Sequence, residues 1–200
     1  MNAEYNPHDE LDLNQDQVIK SQFENDEKVL YSAYVNKYND RAVSQRRVVL
    51  VTTKYLYNIA LDGFFIKVLR LLSPCAIIRR KVPIENISAF TVSNNPFSGQ
   101  FVIHIEREHD LRYNAELETR EGIVKAICYA FRLKTGRKIP FHFRDEDNLI
   151  QYHTSEADVK NHMSRRPHDA ALPLTDRDLK LGLYECSKKR KQKRCESLCY

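Results

Sequence analysis

The stretch that most constrains the fold of this chain runs from Tyr34 to Ile59. Its pattern predicts a strand, a short polar turn and two further strands, Val48 to Thr52 and Lys54 to Ile59, rich in β-branched and aromatic residues. A tight connection between twisted strands gathers charged side chains on one rim. Four cations lie in or beside the turn: Lys37, Arg41, Arg46 and Arg47.

Phosphate groups are suitable partners for such a rim. Each cation can meet a phosphate oxygen through a charge-assisted hydrogen bond, and the planar fork of arginine grips two oxygens at once. Only Asp40 opposes the four cations within the turn. The stretch therefore predicts a binding surface for anionic lipid headgroups, and the plainer interpretation is a set of solvated hairpin charges.

Charge is distributed unevenly along the 200 residues. Residues 1–28 carry 2 basic and 8 acidic side chains, residues 29–150 carry 19 and 12, and residues 151–200 carry 11 and 7. An acidic leader followed by a basic body indicates an anionic partner, whether a membrane, a nucleic acid or an acidic protein.

Cysteine usage and hydropathy indicate the cellular compartment in which the protein is expected. The cysteines are odd in number and widely spaced, which argues against a disulfide framework and for a reducing compartment. No run approaches the ~20 apolar residues of a membrane-spanning helix. We therefore expect a cytoplasmic protein, peripheral at a membrane or the cytoskeleton. The cysteines are Cys75, Cys128, Cys186, Cys195 and Cys199.

Three regions are predicted along the chain. Residues 1–15 are acidic, lack apolar periodicity and are expected to form a disordered leader. Residues 16–150 carry the patterns of one domain, beginning with a short helix from Asp16 to Phe23. Residues 151–200 form a polar, basic extension.

The domain is predicted to be mainly β with one long capping helix. Short strands separated by turn residues favour an antiparallel barrel or sandwich. Residues Thr119 to Thr135 carry a continuous apolar stripe, with Thr119 as the expected cap and Gly136 as the terminator. The segment Phe64 to Leu72 fits a buried strand or an amphipathic helix equally well. Core packing is the preferred interpretation, and a membrane-inserting loop is the alternative.

Several of these motifs together resemble the first tail-homology (TH1) domain of class I myosins, which is of the pleckstrin-homology type. The similarity covers residues 15–150. The matching positions are Lys37 with Tyr38, Arg46 with Arg47, Val48 to Thr52, Pro83 to Ser93, and Phe101 to Ile105.

This resemblance implies a pleckstrin-homology fold that binds anionic phospholipids, phosphoinositides in particular. The family's two basic lipid-binding positions match Lys37 and Arg47, and Arg41 and Arg46 lie in the same loop. The chain has no phosphate-binding loop of a motor, so a link to the actin-myosin cytoskeleton would come through cytoskeletal or myosin-associated partners. The alternative is a protein-interaction adaptor on the same scaffold, with the basic tail as a localisation or nucleic-acid-binding signal.

A secondary membrane contact is predicted from two further basic clusters. Cations near an anionic leaflet are each attracted by about 1 kcal/mol. Acylation of Cys195 or Cys199 would add a second anchor beside the C-terminal cluster. The alternatives for that cluster are a nuclear-localisation signal, an RNA-binding tail or a tail of no defined role. The clusters comprise Arg79, Arg80, Lys81, Lys188, Lys189, Arg190 and Lys191.

No pattern in the sequence indicates catalysis. There is no nucleophile elbow, no glycine-rich phosphate loop and no cysteine-histidine spacing typical of zinc, so we expect no enzymatic activity, no metal and no cofactor. The acidic run of Glu106, Glu108 and Asp110 is interpreted as a solvated strand end. Nucleic-acid binding ranks last, because only Tyr184 and Tyr200 offer stacking surfaces near the tail.

Overall fold

The structure is a computed structural model, and it describes residues 6–39, 42–61 and 76–159. The strands in these ranges are β1 His8–Asp9, β2 Val29–Tyr38, β3 Ser44–Thr52, β4 Tyr55–Leu61, β5 Ala76–Pro83, β6 Ile87–Ser93, β7 Gln100–Ile105, β8 Leu111–Asn114 and β9 Phe141–Arg144. The helices are α1 Gln17–Lys20 and α2 Leu117–Thr135, and short 3₁₀ turns cover Ile84–Asn86 and Ile150–Tyr152.

The strands join in one sheet in the order β5-β4-β3-β2-β8-β7-β6-β9, with β1 beside β2. This confirms the mainly β fold with one long helix. The described sheet is not a closed barrel, because its path ends at β5 on one side and at β9 on the other. Two pairings, β1 with β2 and β6 with β9, are parallel. The second follows from the long crossover through α2 that returns the chain beside β6.

The inner face of the sheet is the face that packs on α2. Alternate residues of β2 and β3, such as Val35 and Val49, enter the same buried cluster as Ile123, Ile127 and Phe131 of the helix. This is the apolar stripe that the sequence predicts. The helix begins at Leu117, two residues before the expected cap, and it ends at Gly136, whose φ of 70° is the left-handed conformation that favours glycine.

The N-terminal segment differs from the disordered leader expected over residues 1–15. His8–Asp9 pairs with β2, and Leu11 and Leu13 pack against a second buried cluster on the outer face of the sheet. Ile19 is fully buried in that cluster, and the Asp16 side chain accepts hydrogen bonds from the first amides of α1. A few apolar side chains are therefore enough to place an acidic segment on the sheet.

The chain also packs past the expected boundary at residue 150. Leu149 is fully buried. The amide of Thr154 donates to the Asp110 carboxylate at 2.9 Å, and the Asp110 amide donates to the Thr154 carbonyl at 3.0 Å. The Phe64 to Leu72 segment and the basic C-terminal cluster lie outside the described residues. No helix of the described part is long and apolar enough to cross a membrane.

Candidate functional site

Lys37 and Arg47 lie on the same inner face at one end of the sheet. Lys37 pairs with Gln45, and Arg47 pairs with Val35, which is 3% exposed and belongs to the inner core. Because side chains alternate across a strand, Lys37 and Arg47 are diagonal neighbours, with backbones roughly 7–8 Å apart. We call this end the mouth: the last residues of β2, the first residues of β3 and the β7–β8 turn at residues 106–110.

Arg47 is held in place by neutral groups. Its Nη2 donates to Gln45 Oε1 at 2.7 Å, and its Nη1 donates to the Arg46 carbonyl at 3.0 Å. No carboxylate among the described residues forms an ion pair with Arg47. Its positive charge is thus uncompensated in this part of the molecule, and the side chain is oriented by Gln45.

Arg46 faces the other way. It pairs with Asn36 on the outer face, and its guanidinium lies 4.3 Å from the centre of the Tyr34 ring. A cation over an aromatic face gains about 0.5–1 kcal/mol at an exposed site. The structure therefore brings Lys37 and Arg47 together and separates Arg46 from both. Arg41 lies outside the described residues.

Arg80 reaches the mouth through its side chain, although the sequence pattern alone placed it in a surface cluster. Arg80 pairs with Asn58 of β4, and Asn58 pairs with Val49 of β3, so Arg80 lies on the inner face. Along the sheet it is level with Val49, one inward-facing position beyond Arg47. The side chain is only 11% exposed, and its Nη2 donates to Glu108 Oε2 at 2.8 Å in the β7–β8 turn. Strand alternation was the available signal, because Val82 and Ile84 share its parity and are buried.

The two neighbours of Arg80 are arranged differently. Arg79 is exposed, and Lys81 lies on the outer face, where its Nζ is 3.9 Å from the centre of the Tyr55 ring and 4.0 Å from Glu24. A membrane contact by the triplet remains a prediction. The same holds for Lys188, Lys189, Arg190 and Lys191, which lie outside the described residues.

Three buried polar atoms near this end have no hydrogen-bond partner among the described residues: Arg80 Nη1, Tyr113 OH and Asn58 Oδ1. Tyr113 is fully buried and pairs directly with Lys37 across β8 and β2. Burial raises the pKa of Tyr113, while the nearby charges of Arg80 and Arg47 act to lower it. The phenol therefore lies within reach of the electric field of both arginines.

A second polar cluster corrects the interpretation of Asp110 as a solvated strand end, since Asp110 is only 3% exposed. Its carboxylate lies 2.9 Å from His104 Nδ1, and His104 Nε2 lies 2.7 Å from Thr91 Oγ1. The Asp110 carboxylate also accepts from the amides of Ile105 and Thr154. The order carboxylate, imidazole, hydroxyl resembles an acyl-transfer triad, but the hydroxyl belongs to Thr91, which is only 2% exposed. The contact that the cluster does make is between the β7–β8 turn and Thr154.

The arrangement at the mouth is suited to anion binding. Lys37, Arg47 and Arg80 stand on successive inward-facing levels, and cationic side chains gathered on one face favour multiply charged oxygen ligands. No group of three or more His, Cys, Asp or Glu side chains in the described ranges could hold a metal ion.

Comparison with solved structures returned matches at low identity. The hSac2 domain of human phosphoinositide phosphatase Sac2 matches with a TM-score of 0.46 at 10% identity, covering 80% of this chain and 93% of that one. The Slm1-PH domain in complex with inositol-4-phosphate matches with a TM-score of 0.41 at 11% identity, covering 52% and 96%. A structure from a screen of protein-lipid interactions in Saccharomyces cerevisiae gives 0.40, 11%, 52% and 96%.

Sequence comparison gives the family. A search of curated proteins returned no match. The family model of the unconventional myosin tail, described as actin- and lipid-binding, matches residues 8–179. The match includes every described strand and both helices, and it starts where the N-terminal segment joins the sheet. The chain therefore belongs to the unconventional myosin tail family, whose domains bind actin and lipid.

Proposed function

We propose that the mouth binds the phosphorylated headgroup of an anionic phospholipid, with Lys37 and Arg47 as its main ligands. The observation that carries this proposal is their position on one inner face at the end of the sheet, one diagonal step apart. A phosphate between them accepts hydrogen bonds from both, each worth about 1.5–3 kcal/mol because the groups are charged. Gln45 keeps the Arg47 fork oriented before the ligand arrives.

The surroundings of the mouth suit a membrane surface. Val43, in the β2–β3 connection, is 52% exposed, so an apolar side chain stands beside the cations. An apolar contact and an electrostatic attraction together strengthen interfacial binding more than either alone. A peripheral position at the membrane follows from this arrangement.

The experiment is vesicle sedimentation with the double variant Lys37→Ala/Arg47→Ala. We expect its affinity for phosphatidylcholine vesicles containing phosphatidylinositol bisphosphate to fall by ~10-fold or more, since each tenfold loss is about 1.4 kcal/mol. The matched control is Lys54→Ala/Lys125→Ala, which removes the same charge from side chains outside the mouth. Equal losses in the two double variants would show that binding depends on net charge and not on the mouth, which would contradict the proposal.

A second candidate function is partner binding at the β6–β7 turn, residues 94–99. Phe97 is 94% exposed there, and an exposed aromatic side chain on a rigid support is typical of a protein contact. Arg120 Nη1 donates to the Ser98 carbonyl at 2.9 Å, and Asn95 Nδ2 donates to Asp147 Oδ1 at 2.6 Å, so the turn is well held. It joins the end of β7 opposite to the β7–β8 turn.

Actin is the partner to test, because the family is described as actin-binding. We expect Phe97→Ala to weaken co-sedimentation with actin filaments and to leave vesicle binding unchanged. Lys37→Ala/Arg47→Ala should do the reverse. Loss of both activities in either variant would argue against two separate surfaces.

A further inference from the structure

Close to Lys37 and Arg47, the inner face carries polar atoms that the described residues leave without partners. These atoms are Tyr113 OH and Arg80 Nη1, and both are buried. A buried donor without a partner costs about 1–3 kcal/mol, and such groups are uncommon unless a ligand, ion or water completes them. Two of them close to a cationic mouth therefore make this region a candidate anion site.

Arg80 lies further along the sheet than the first cations, whereas Tyr113 lies level with Lys37 and is fully buried. Tyr113 pairs with Lys37 through β8 and β2, and its ring packs on Phe101 with centroids 5.6 Å apart. Arg80 starts two residues further along the sheet than Arg47, a difference of roughly 7 Å at the usual strand rise. Its side chain then extends back toward the β7–β8 turn, where it meets Glu108.

Glu108 occupies one side of this inner space. Its carboxylate accepts only from Nη2 of Arg80, at 2.8 Å, and Nη1 has no hydrogen-bond partner in the described part of the chain. Glu108 is 44% exposed, so water can solvate it when the ion pair opens. A doubly charged phosphate oxygen group satisfies both Arg80 nitrogens as a fork and also accepts from Tyr113. It is therefore a better partner for Arg80 than the single carboxylate.

We propose that Arg80 and Tyr113 form an inner phosphate subsite of the mouth, closed by Glu108 when no ligand is bound. This inference rests on the proposed lipid-binding function. The outer subsite of Lys37 and Arg47 takes one phosphate, and the inner subsite takes a second phosphate of the same inositol ring. The domain thereby prefers headgroups with two or more phosphates to headgroups with one.

The first test uses a matched pair of variants in the β7–β8 turn. Glu108→Gln and Glu106→Gln each remove one negative charge, but Glu106 pairs with Arg107 and its side chain is 63% exposed. On vesicles of phosphatidylcholine with phosphatidylinositol bisphosphate, we expect Glu108→Gln to tighten binding by about 3- to 10-fold, because it frees Arg80. Glu106→Gln should change binding by less than ~2-fold. Equal gains in both variants would overturn the inference.

The second test uses Tyr113→Phe, which removes one oxygen and keeps the ring. We expect a loss of about 5-fold or more on bisphosphate vesicles and no loss on monophosphate vesicles of equal total charge. Because no described residue forms a hydrogen bond with the hydroxyl, the thermal midpoint of the variant should equal or exceed that of the wild type, which separates lost binding from lost folding. An unchanged preference between the two vesicle types would overturn the inner subsite.

Soluble probes identify the source of the phosphate. If the lipid headgroup is the ligand, inositol trisphosphate should compete with vesicles and inorganic phosphate at the same concentration should not. Equal competition by inorganic phosphate would overturn the two-phosphate arrangement. If Lys37→Ala/Arg47→Ala binds like the wild type, the proposed function fails. If that variant loses binding while Glu108→Gln and Tyr113→Phe change nothing, only the inner subsite fails.

Discussion

Arg46 and Arg47 are adjacent in the chain but project from opposite faces of β3, Arg46 onto the Tyr34 ring and Arg47 beside Gln45 at the mouth. In an extended strand this separation is unavoidable, because successive side chains alternate. The two guanidinium groups therefore do not face one another across a common site. Its two members contribute to different surfaces.

The first prediction compares these two arginines on a soluble headgroup, where attraction to a membrane plane plays no part. Arg47→Ala should weaken binding of inositol trisphosphate by about 10-fold, the loss of one charged hydrogen bond. Arg46→Ala should change it by less than ~2-fold, because its guanidinium lies on the other face. Isothermal titration calorimetry of both variants checks this, and equal losses would show that the two arginines share a site.

The second prediction concerns stability at the inner face. Tyr113→Phe should raise the free energy of unfolding by about 1 kcal/mol, because it removes a buried hydroxyl that has no partner among residues 6–39, 42–61 and 76–159, while the ring contact with Phe101 remains. For a domain of this size the thermal midpoint should rise by about 2–4 °C. Calorimetry of ligand-free protein measures it. A clear fall would mean that the hydroxyl has a partner in solution.

The third prediction concerns the close approach of β7 to β8. A Cβ at Gly99 would lie 1.7 Å from the carbonyl oxygen of Ala115, a backbone atom that cannot turn aside. Gly99→Ala should therefore destabilise the fold by about 1–3 kcal/mol, through a forced shift of the strand ends. Gly136→Ala is the comparison, since a Cβ there meets open space and only the positive φ adds a cost, about 1 kcal/mol. Urea unfolding that ranks Gly136→Ala as the more damaging change would contradict the steric explanation.

The fourth prediction is a pH dependence that originates at β9. Burial lowers the pKa of His142 to about 4, with further lowering by the neighbouring charges of His104 and Arg144. The unfolded chain, with an ordinary pKa of about 6.5, binds the proton more readily, so stability falls as the pH drops from 6.5 to 4. Below that window the contribution is fully lost.

Thermal midpoints measured across this window check the fourth prediction. His142→Gln should show a shallower decline between pH 6.5 and 4 than the wild type, because glutamine takes up no proton there. His8→Gln, a change at an exposed histidine, is the control and should follow the wild-type curve. An unchanged slope in His142→Gln would assign the acid lability to other groups.

The alternation and turn signals of the sequence were sufficient to predict most elements. They predicted strands at Val48 to Thr52 and Lys54 to Ile59, which overlap β3 and β4, and they identified α2 with its terminating glycine, because periodicity and capping are local properties. The extent of the N-terminal segment was not predictable in this way. Its few apolar residues, Leu11, Leu13 and Ile19, become meaningful only when the outer face of β3 and β4 is present to cover them.

The candidate site, like the fold, was predictable from the sequence only in part. From the sequence alone came the basic turn and the choice of Lys37 and Arg47, since two residues near one predicted hairpin must end near each other. Only the tertiary structure placed Tyr113 beside Lys37 and brought Arg80 to Glu108, 28 residues away in the chain. Those contacts depend on which strands become neighbours and how the sheet bends around α2. Long-range packing decides both, and no local pattern encodes them.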